Sequence, residues 1–214
     1  KIEDADGGLP TITITEGGTP LVMMEELTNG YLEAIRYVGS GGTGCGTGVS
    51  TVWDCTDVYT ATNIQTAIGI THNSSGNPVA AFSLTTGAAW TAEYVGGTSG
   101  TGCAVSDWTC TKIVTDSVDD ESTDVAATDS EGNIWFTYSQ TTNDDLYVAH
   151  YVGSGGNCDT VGSASGSDAW QCDKIMDISV DDGTYTSQFS SMAFDQSGSL
   201  WISYFDRGDG TCSS

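Results

Sequence analysis

Residues 94–110 read YVGGTSGTGCAVSDWTC. The same features recur in the same order at residues 37–55 and 151–172: a Tyr-Val-Gly, a Gly-rich loop with one cysteine, and then Trp-x-Cys. The Tyr-Val-Gly copies begin at Tyr37, Tyr94 and Tyr151, so that each begins 57 residues after the one before it. A constant period of this length indicates a structural repeat.

Each Tyr-Val-Gly is preceded by two short apolar runs joined by a tight turn, and the runs are rich in the β-branched and aromatic residues that favour strands. First strands are predicted at 68–71, 125–128 and 192–194, and second strands at 21–24, 79–82, 134–138 and 200–204. A third strand ends in Tyr-Val-Gly and a fourth begins at Trp-x-Cys. The repeat therefore supplies four short antiparallel strands.

Four strands per repeat predict an all-β, propeller-type array of blades, because one blade cannot bury both of its faces without neighbours. A β-sandwich is the alternative, although a sandwich does not require internal copies. We expect one repeat domain over residues 1–214, with strands missing at its ends to be supplied by residues or chains outside this sequence. Its predicted parts are a last strand of a preceding or closing blade (1–8), blade 1 (9–63), blade 2 (64–121), blade 3 (122–185) and a partial blade 4 (186–214).

Residues 186–207, TSQFSSMAFDQSGSLWISYFDR, carry a resemblance to a known family. The stretch resembles the Asp-x-x-Gly-x-x-x-Ile-Ser-Tyr repeats of secreted microbial β-propeller proteins, whose turns are similar to the Asp-boxes of sialidase-style blades. The resemblance implies a propeller fold, to which this chain adds a cysteine pair in each blade. Asp129 and Asp195 hold the turn position in two copies, and His72 and Glu16 are expected to hold it in the other two.

The cysteines fall into pairs around each Gly-rich loop. Zinc sites normally bring four ligands together at close spacing, whereas each repeat offers two cysteines and no recurring histidine. We therefore predict disulfides, and with them an oxidising, extracellular or cell-surface location. The predicted pairs are Cys45 with Cys55, Cys103 with Cys110, and Cys158 with Cys172, which leaves Cys212 unpaired or paired with a partner outside this sequence.

The charge balance limits the classes of partner that this protein can bind. Five Lys and Arg residues face 29 Asp and Glu residues, which gives a formal net charge of -24. A field of this sign repels nucleic-acid phosphates, and no apolar run is long enough for membrane insertion. No cofactor is expected apart from calcium, because clustered carboxylates can supply its oxygen ligands. The candidate calcium ligands are Asp119, Asp120, Glu121, Asp181 and Asp182.

Three further residues are candidates for surface functions. Asn73-Ser74-Ser75 is an acceptor sequence for N-glycosylation. Trp90 and Tyr147 occupy equivalent places in the third strand and are the candidates for stacking on a sugar ring, whereas the other tryptophans are expected to pack between blades.

The sequence predicts a non-catalytic protein. A sialidase-like site requires several arginines to hold the substrate carboxylate, and this chain has only Arg36 and Arg207. We expect an extracellular structural and binding scaffold that self-associates or belongs to a larger surface assembly such as a filament. The alternative is a carbohydrate-binding or glycan-cleaving propeller, which would require exposed aromatic rings beside paired acids.

Overall fold

The protein is all-β in a computed structural model that describes residues 8, 10–46, 51–61, 63–115, 125–140, 145–160, 166–176 and 190–204. Sheet 1 contains β1 (Thr11–Ile14), β2 (Pro20–Glu26), β3 (Tyr31–Tyr37) and β4 (Trp53–Tyr59). Sheet 2 contains β5 (Ile64–His72), β6 (Pro78–Leu84), β7 (Ala88–Tyr94) and β8 (Trp108–Thr115). Sheet 3 contains β9 (Val125–Thr128), β10 (Ile134–Gln140), β11 (Asp145–Tyr151) and β12 (Trp170–Met176), and the hairpin β13 (Ser191–Phe194) and β14 (Leu200–Ser203) begins sheet 4.

Each sheet is an antiparallel meander in which every strand pairs with the next one along the chain. This confirms the predicted repeat of four strands, with the third ending at Tyr-Val-Gly and the fourth beginning at Trp-x-Cys. The described strands form no pairing between sheet 4 and sheet 1, and no closed ring of sheets is seen among the described residues. No helix among the described residues is long and apolar enough to cross a membrane.

The sheets stack face to face, and sheet 2 lies between sheet 1 and sheet 3. Every residue of β6 is buried, because Phe82 and Leu84 pack in a core with sheet 1 while Val79 and Ala81 pack in a second core with sheet 3. By contrast, β1 and β14 alternate between exposed and partly buried residues. Burial of both faces makes the stability of each sheet depend on its neighbours.

The turn between the first two strands repeats with a common set of hydrogen bonds. Asp129 Oδ1 accepts from the amides of residues 131 and 133, and the side chains of Asn73 and Asp195 accept from the equivalent amides. The prediction that His72 and Glu16 hold this position is wrong. Asn73 holds it in the second copy, and Thr15, which accepts from the amide of Thr19, holds it in the first.

Glycine completes this turn for a conformational reason. Gly76 and Gly132 have φ values of 76° and 86°, a region that favours residues without a Cβ, and each donates its amide to the residue three positions earlier. Gly132 also lies so close to the preceding turn that an added Cβ would come within 2.4 Å of the Ser74 Cβ. The absence of a Cβ at Gly132 therefore lets the turns of neighbouring sheets pack directly against one another.

A β-bulge recurs in the fourth strand and joins neighbouring sheets. In each sheet the register between the third and fourth strands shifts by one residue, which leaves Val58, Ile113 and Ile175 out of the ladder. The freed carbonyl of Val58 accepts from the Ala104 amide at 2.8 Å, and that of Ile113 accepts from the Ser167 amide at 3.0 Å. The cysteine loop of one sheet is therefore hydrogen-bonded to the bulge of the sheet before it.

The three predicted disulfides are confirmed. Their bonds join Cys45 to Cys55, Cys103 to Cys110 and Cys158 to Cys172 at Cα separations of 4.8, 4.9 and 5.1 Å. Each disulfide fixes a Gly-rich loop beside the fourth strand. Gly42, Gly100 and Gly156 lie where an added Cβ would come within about 2 Å of the tryptophan carbonyl oxygen of that strand, so the loop can approach this closely only with glycine.

Candidate functional site

The candidate site is a pair of equivalent grooves between neighbouring sheets, at the end of each third strand. We call the groove between sheets 1 and 2 groove 1–2. Its centre is filled by Arg36, whose Nη1 donates to the Tyr94 hydroxyl and whose guanidinium carbon lies 5.4 Å from the Tyr94 ring centre. Arg36 Nη2 also lies 3.5 Å from the Asp54 carboxylate. The side chain leaves a cavity of about 20 Å³ between the strands, and a wide surface depression of about 570 Å³ lies on the outer side of Arg36 and Tyr94.

The equivalent groove between sheets 2 and 3, groove 2–3, is open. Strand register places Glu93 opposite Val79 in sheet 2, just as it places Arg36 opposite Leu21 in sheet 1. The substitution replaces the guanidinium with a shorter, oppositely charged side chain. The resulting cavity has a volume of about 370 Å³, which lies in the size range of small-ligand sites.

Groove 2–3 has a polar wall and an aromatic wall. The hydroxyl-bearing residues Thr91, Thr109 and Thr111 contribute to its lining, together with the carboxylates of Glu93 and Glu131. Tyr151 and Trp170 form the aromatic side, with Tyr151 45% exposed and its ring 5.5 Å from that of Trp170 in an edge-on arrangement. The groove thus combines negative charge, hydroxyl groups and one accessible ring.

Glu93 is oriented by the turn that precedes its sheet. Asn73 uses its Oδ1 to accept the turn amides and its Nδ2 to donate to Glu93 Oε1 at 2.6 Å. Neither Glu93 nor Glu131 forms an ion pair with a described residue. The negative charge of the groove is therefore not neutralised by the part of the chain that the structure describes.

His150 occupies the same strand position in sheet 3, on the face toward sheet 4. Its ring is stacked on Trp135 with centres 4.1 Å apart, and Trp135 donates through Nε1 to Asp129. Burial lowers the pKa of His150, although the nearby carboxylates of Asp173 and Asp129 act in the opposite direction. The buried Nδ1 atom has no hydrogen-bond partner among the described residues, which agrees with a neutral imidazole.

We expect His150 to make stability fall as the pH is lowered. The pKa is lower in the folded chain than the unfolded value of about 6.5, so the unfolded chain binds more protons between those two values. Stability from the neutral ring is present above about pH 6.5 and is lost as the pH falls toward the folded pKa. Urea unfolding at pH 7.5 and 5.5 should show a larger loss for the native chain than for His150→Gln. Equal losses would contradict this role.

The two rings predicted to stack on a sugar both pack against another aromatic ring. Trp90 is partly buried against Tyr59, with ring centres 5.3 Å apart. Tyr147 is 9% exposed and stacks on Tyr138 at 5.3 Å. Trp90 is only partly buried, so the prediction that it stacks on a sugar stays a prediction. Asn73, the candidate for glycosylation, has both side-chain amide atoms in hydrogen bonds, because Oδ1 accepts from a turn amide and Nδ2 donates to Glu93 of β7.

The remaining predicted residues are not placed by the structure. Asp119, Asp120, Glu121, Asp181, Asp182 and Cys212 lie outside the described residues. Within the ranges that are described, no group of three or more His, Cys, Asp or Glu side chains is arranged to hold a metal ion.

Sequence analysis missed the grooves, although a signal for them was present. The residue immediately before each Tyr-Val-Gly is Arg36, Glu93 or His150. These three residues occupy the same place in otherwise similar repeats, yet one is positively charged, one is negatively charged and one is titratable. Such variation indicates that each copy contacts a different group at this position. Strand register alone could not reveal that this position faces the adjoining sheet.

The chain matches no protein-family model and no curated protein sequence. The fold and the grooves themselves define its class: an all-β repeat protein of stacked, four-stranded antiparallel sheets, with a disulfide in each of the three complete sheets described.

Proposed function

We propose that this protein is a non-catalytic extracellular scaffold whose sheets are blades of a propeller-type array and whose two end sheets contact further copies of the chain. The observation that carries the proposal is a comparison of equivalent tryptophans. Trp135 of sheet 3 is packed against Phe194 of the next sheet at 5.5 Å, whereas Trp201 of sheet 4 is 67% exposed. Both donate through Nε1 to their turn aspartates.

The opposite end of the stack also presents apolar residues. Ile12 and Ile14 of β1 are 64% and 55% exposed. The residue of sheet 2 that is equivalent to Ile12 is Ile70, and it packs against the core shared with sheet 1. Covering Trp201 with β1 of another copy would therefore repeat a contact of the kind that already joins sheets 3 and 4. Such a contact is head-to-tail, and it propagates unless it closes into a ring.

Three disulfides support the extracellular part of the proposal, because such bonds persist in oxidising compartments. The glycan-binding alternative is less well supported, since the described grooves offer one accessible ring, Tyr151, rather than two beside paired acids. The net charge of -24 repels copies of the chain from one another, so a contact between them has to be made by the apolar end faces rather than by the charged surface.

The proposal is tested by sedimentation velocity over a range of protein concentrations. The native chain should form species larger than a monomer. Trp201→Ser and the double variant Ile12→Ser/Ile14→Ser should each remain monomeric, because each lacks one of the two end faces. An equimolar mixture of the two should form dimers and nothing larger, since only one intact contact remains.

Leu27→Ser is the matched control for this experiment. Leu27 is 49% exposed and apolar, but it lies in the turn after β2 rather than on an end face. It should associate as the native chain does. A native chain that stays monomeric at every concentration, or a mixture that does not dimerise, would refute the assembly.

A further inference from the structure

Groove 1–2 shows which ligand chemistry this repeat position accepts. The guanidinium of Arg36 is held by the Tyr94 hydroxyl and ring and by the Asp54 carboxylate. In groove 2–3 the tyrosine is retained as Tyr151, but the chain's own cation is replaced by Glu93. Tyr151 therefore lines a cavity that contains the carboxylate of Glu93, whereas groove 1–2 contains the guanidinium of Arg36.

We propose that groove 2–3 binds an arginine side chain of a partner protein, which takes the place that Arg36 fills in groove 1–2. The guanidinium would lie over the Tyr151 ring, as that of Arg36 lies over the Tyr94 ring at 5.4 Å from its centre, and would donate to the Glu93 carboxylate. The volume of about 370 Å³ accommodates the whole side chain, whereas only about 20 Å³ remains between the strands where Arg36 fills groove 1–2 and the other space beside Arg36 is a depression on the outer surface. This binding is independent of the end-face contacts, so either proposal can fail alone.

The electrostatics of the site favour a cation over a neutral ligand. Glu93 and Glu131 both line the groove, and no described residue neutralises either of them by an ion pair. The Asn73 amide occupies Oε1 of Glu93 and thereby fixes the carboxylate in the groove. Arginine should bind better than lysine, because the planar guanidinium can place one face on an aromatic ring while its N–H groups donate to a carboxylate. The ammonium group of lysine has no such planar face.

The probes are N-acetylarginine amide, N-acetyllysine amide and N-acetylcitrulline amide, titrated at low salt and followed by the backbone amide signals of Thr109 and Thr111. The arginine derivative should bind with a dissociation constant of about a millimolar. Lysine should bind more weakly, and citrulline, which has nearly the same shape without the charge, should show no binding.

Two variants test the residues separately. Glu93→Gln removes the charge and should weaken binding at least about tenfold, a loss of about 1.4 kcal/mol. Tyr151→Leu should weaken it about threefold or more, because the cation and ring interaction is lost. Asp173→Asn is the matched control. It removes one negative charge from an exposed position in sheet 3 opposite Val148, outside the lining of the groove, and should bind as the native chain does.

Arg36→Ala provides a positive test in the other groove. Removing the internal cation leaves Tyr94 and Asp54 in groove 1–2, so this variant should gain a second site for N-acetylarginine amide. Glu93→Arg should instead fill groove 2–3 and abolish the first site. Equal binding of the citrulline derivative, or unchanged binding by Glu93→Gln, would overturn the proposal. Binding of N-acetylglucosamine in place of the arginine derivative would overturn it in favour of the glycan alternative.

Discussion

Replacing all six paired cysteines with serine should leave the chain unfolded at 37 °C. The bonds join residues that are 7, 10 and 14 positions apart, and loop-closure entropy assigns about 2.5 to 3 kcal/mol to each loop of this length. Together the three bonds contribute about 8 kcal/mol, which is comparable with the whole stability of a typical domain, about 5–15 kcal/mol. Circular dichroism during thermal unfolding measures the loss directly.

The bonds do more than restrict the unfolded chain. Cys103 precedes Ala104, whose amide donates to the bulged carbonyl of Val58 in the preceding sheet. Without its disulfide, the loop that carries this amide is released from the fourth strand, and the hydrogen bond between the sheets is weakened as well. The pair variant Cys103→Ser/Cys110→Ser should therefore reduce the stability of sheets 1 and 2 together. Hydrogen exchange of the β4 and β8 amides should show faster exchange in both.

The controls separate these two effects. Cys45→Ser/Cys55→Ser removes a bond of similar loop length from sheet 1, whose partner sheet on that side is absent from the described residues. This variant should affect exchange mainly within sheet 1. A six-serine chain that retains the native transition temperature would contradict the proposed role of the bonds.

Much of the fold could be predicted from sequence because the 57-residue period fixes many features at once. The strands, the cysteine pairs and the tryptophans that start each fourth strand recur in register, so each copy supports the assignment of the others. The turn residue was misassigned in two copies. The structure shows that the side-chain acceptor lies three residues before the glycine, as Asn73 does before Gly76 and Thr15 before Gly18. Asn73 has the same acceptor geometry as aspartate, and Thr15 supplies a hydroxyl instead.

The candidate site was harder to predict because it depends on contacts between sheets rather than within them. Trp90 and Tyr147 differ from Glu33 at the same repeat position, and this variation resembled that of exposed residues. In the structure Trp90 packs against Tyr59 of the neighbouring sheet 1. Tyr147 stacks on Tyr138, its cross-strand partner within sheet 3, and also belongs to the core that sheets 2 and 3 share. The roles of Arg36 and Glu93 also depend on neighbouring sheets, because the grooves that contain them form only when sheets 1, 2 and 3 stack.

The contact between sheets 2 and 3 should depend strongly on Phe136. Its side chain is fully buried in the core formed by Val79, Ala81, Ile113 and other residues of both sheets. Phe136→Ala removes most of the ring from a packed interface and leaves a cavity, which costs about 3 to 5 kcal/mol in comparable cores. Urea unfolding followed by circular dichroism should show this loss as a lower midpoint.

Phe136→Leu and Tyr37→Ala are the controls for this variant. Leucine fills much of the same volume and should cost about 1.5 kcal/mol or less, whereas Tyr37 is 39% exposed and should cost less than the core substitution. Because each sheet is stabilised by its neighbours, the loss at Phe136 should also separate the unfolding of sheet 3 from that of sheet 2. A single, unbroadened transition with a loss below about 1 kcal/mol would show that the sheets are stable without this contact, which would remove the physical basis of the stacked array.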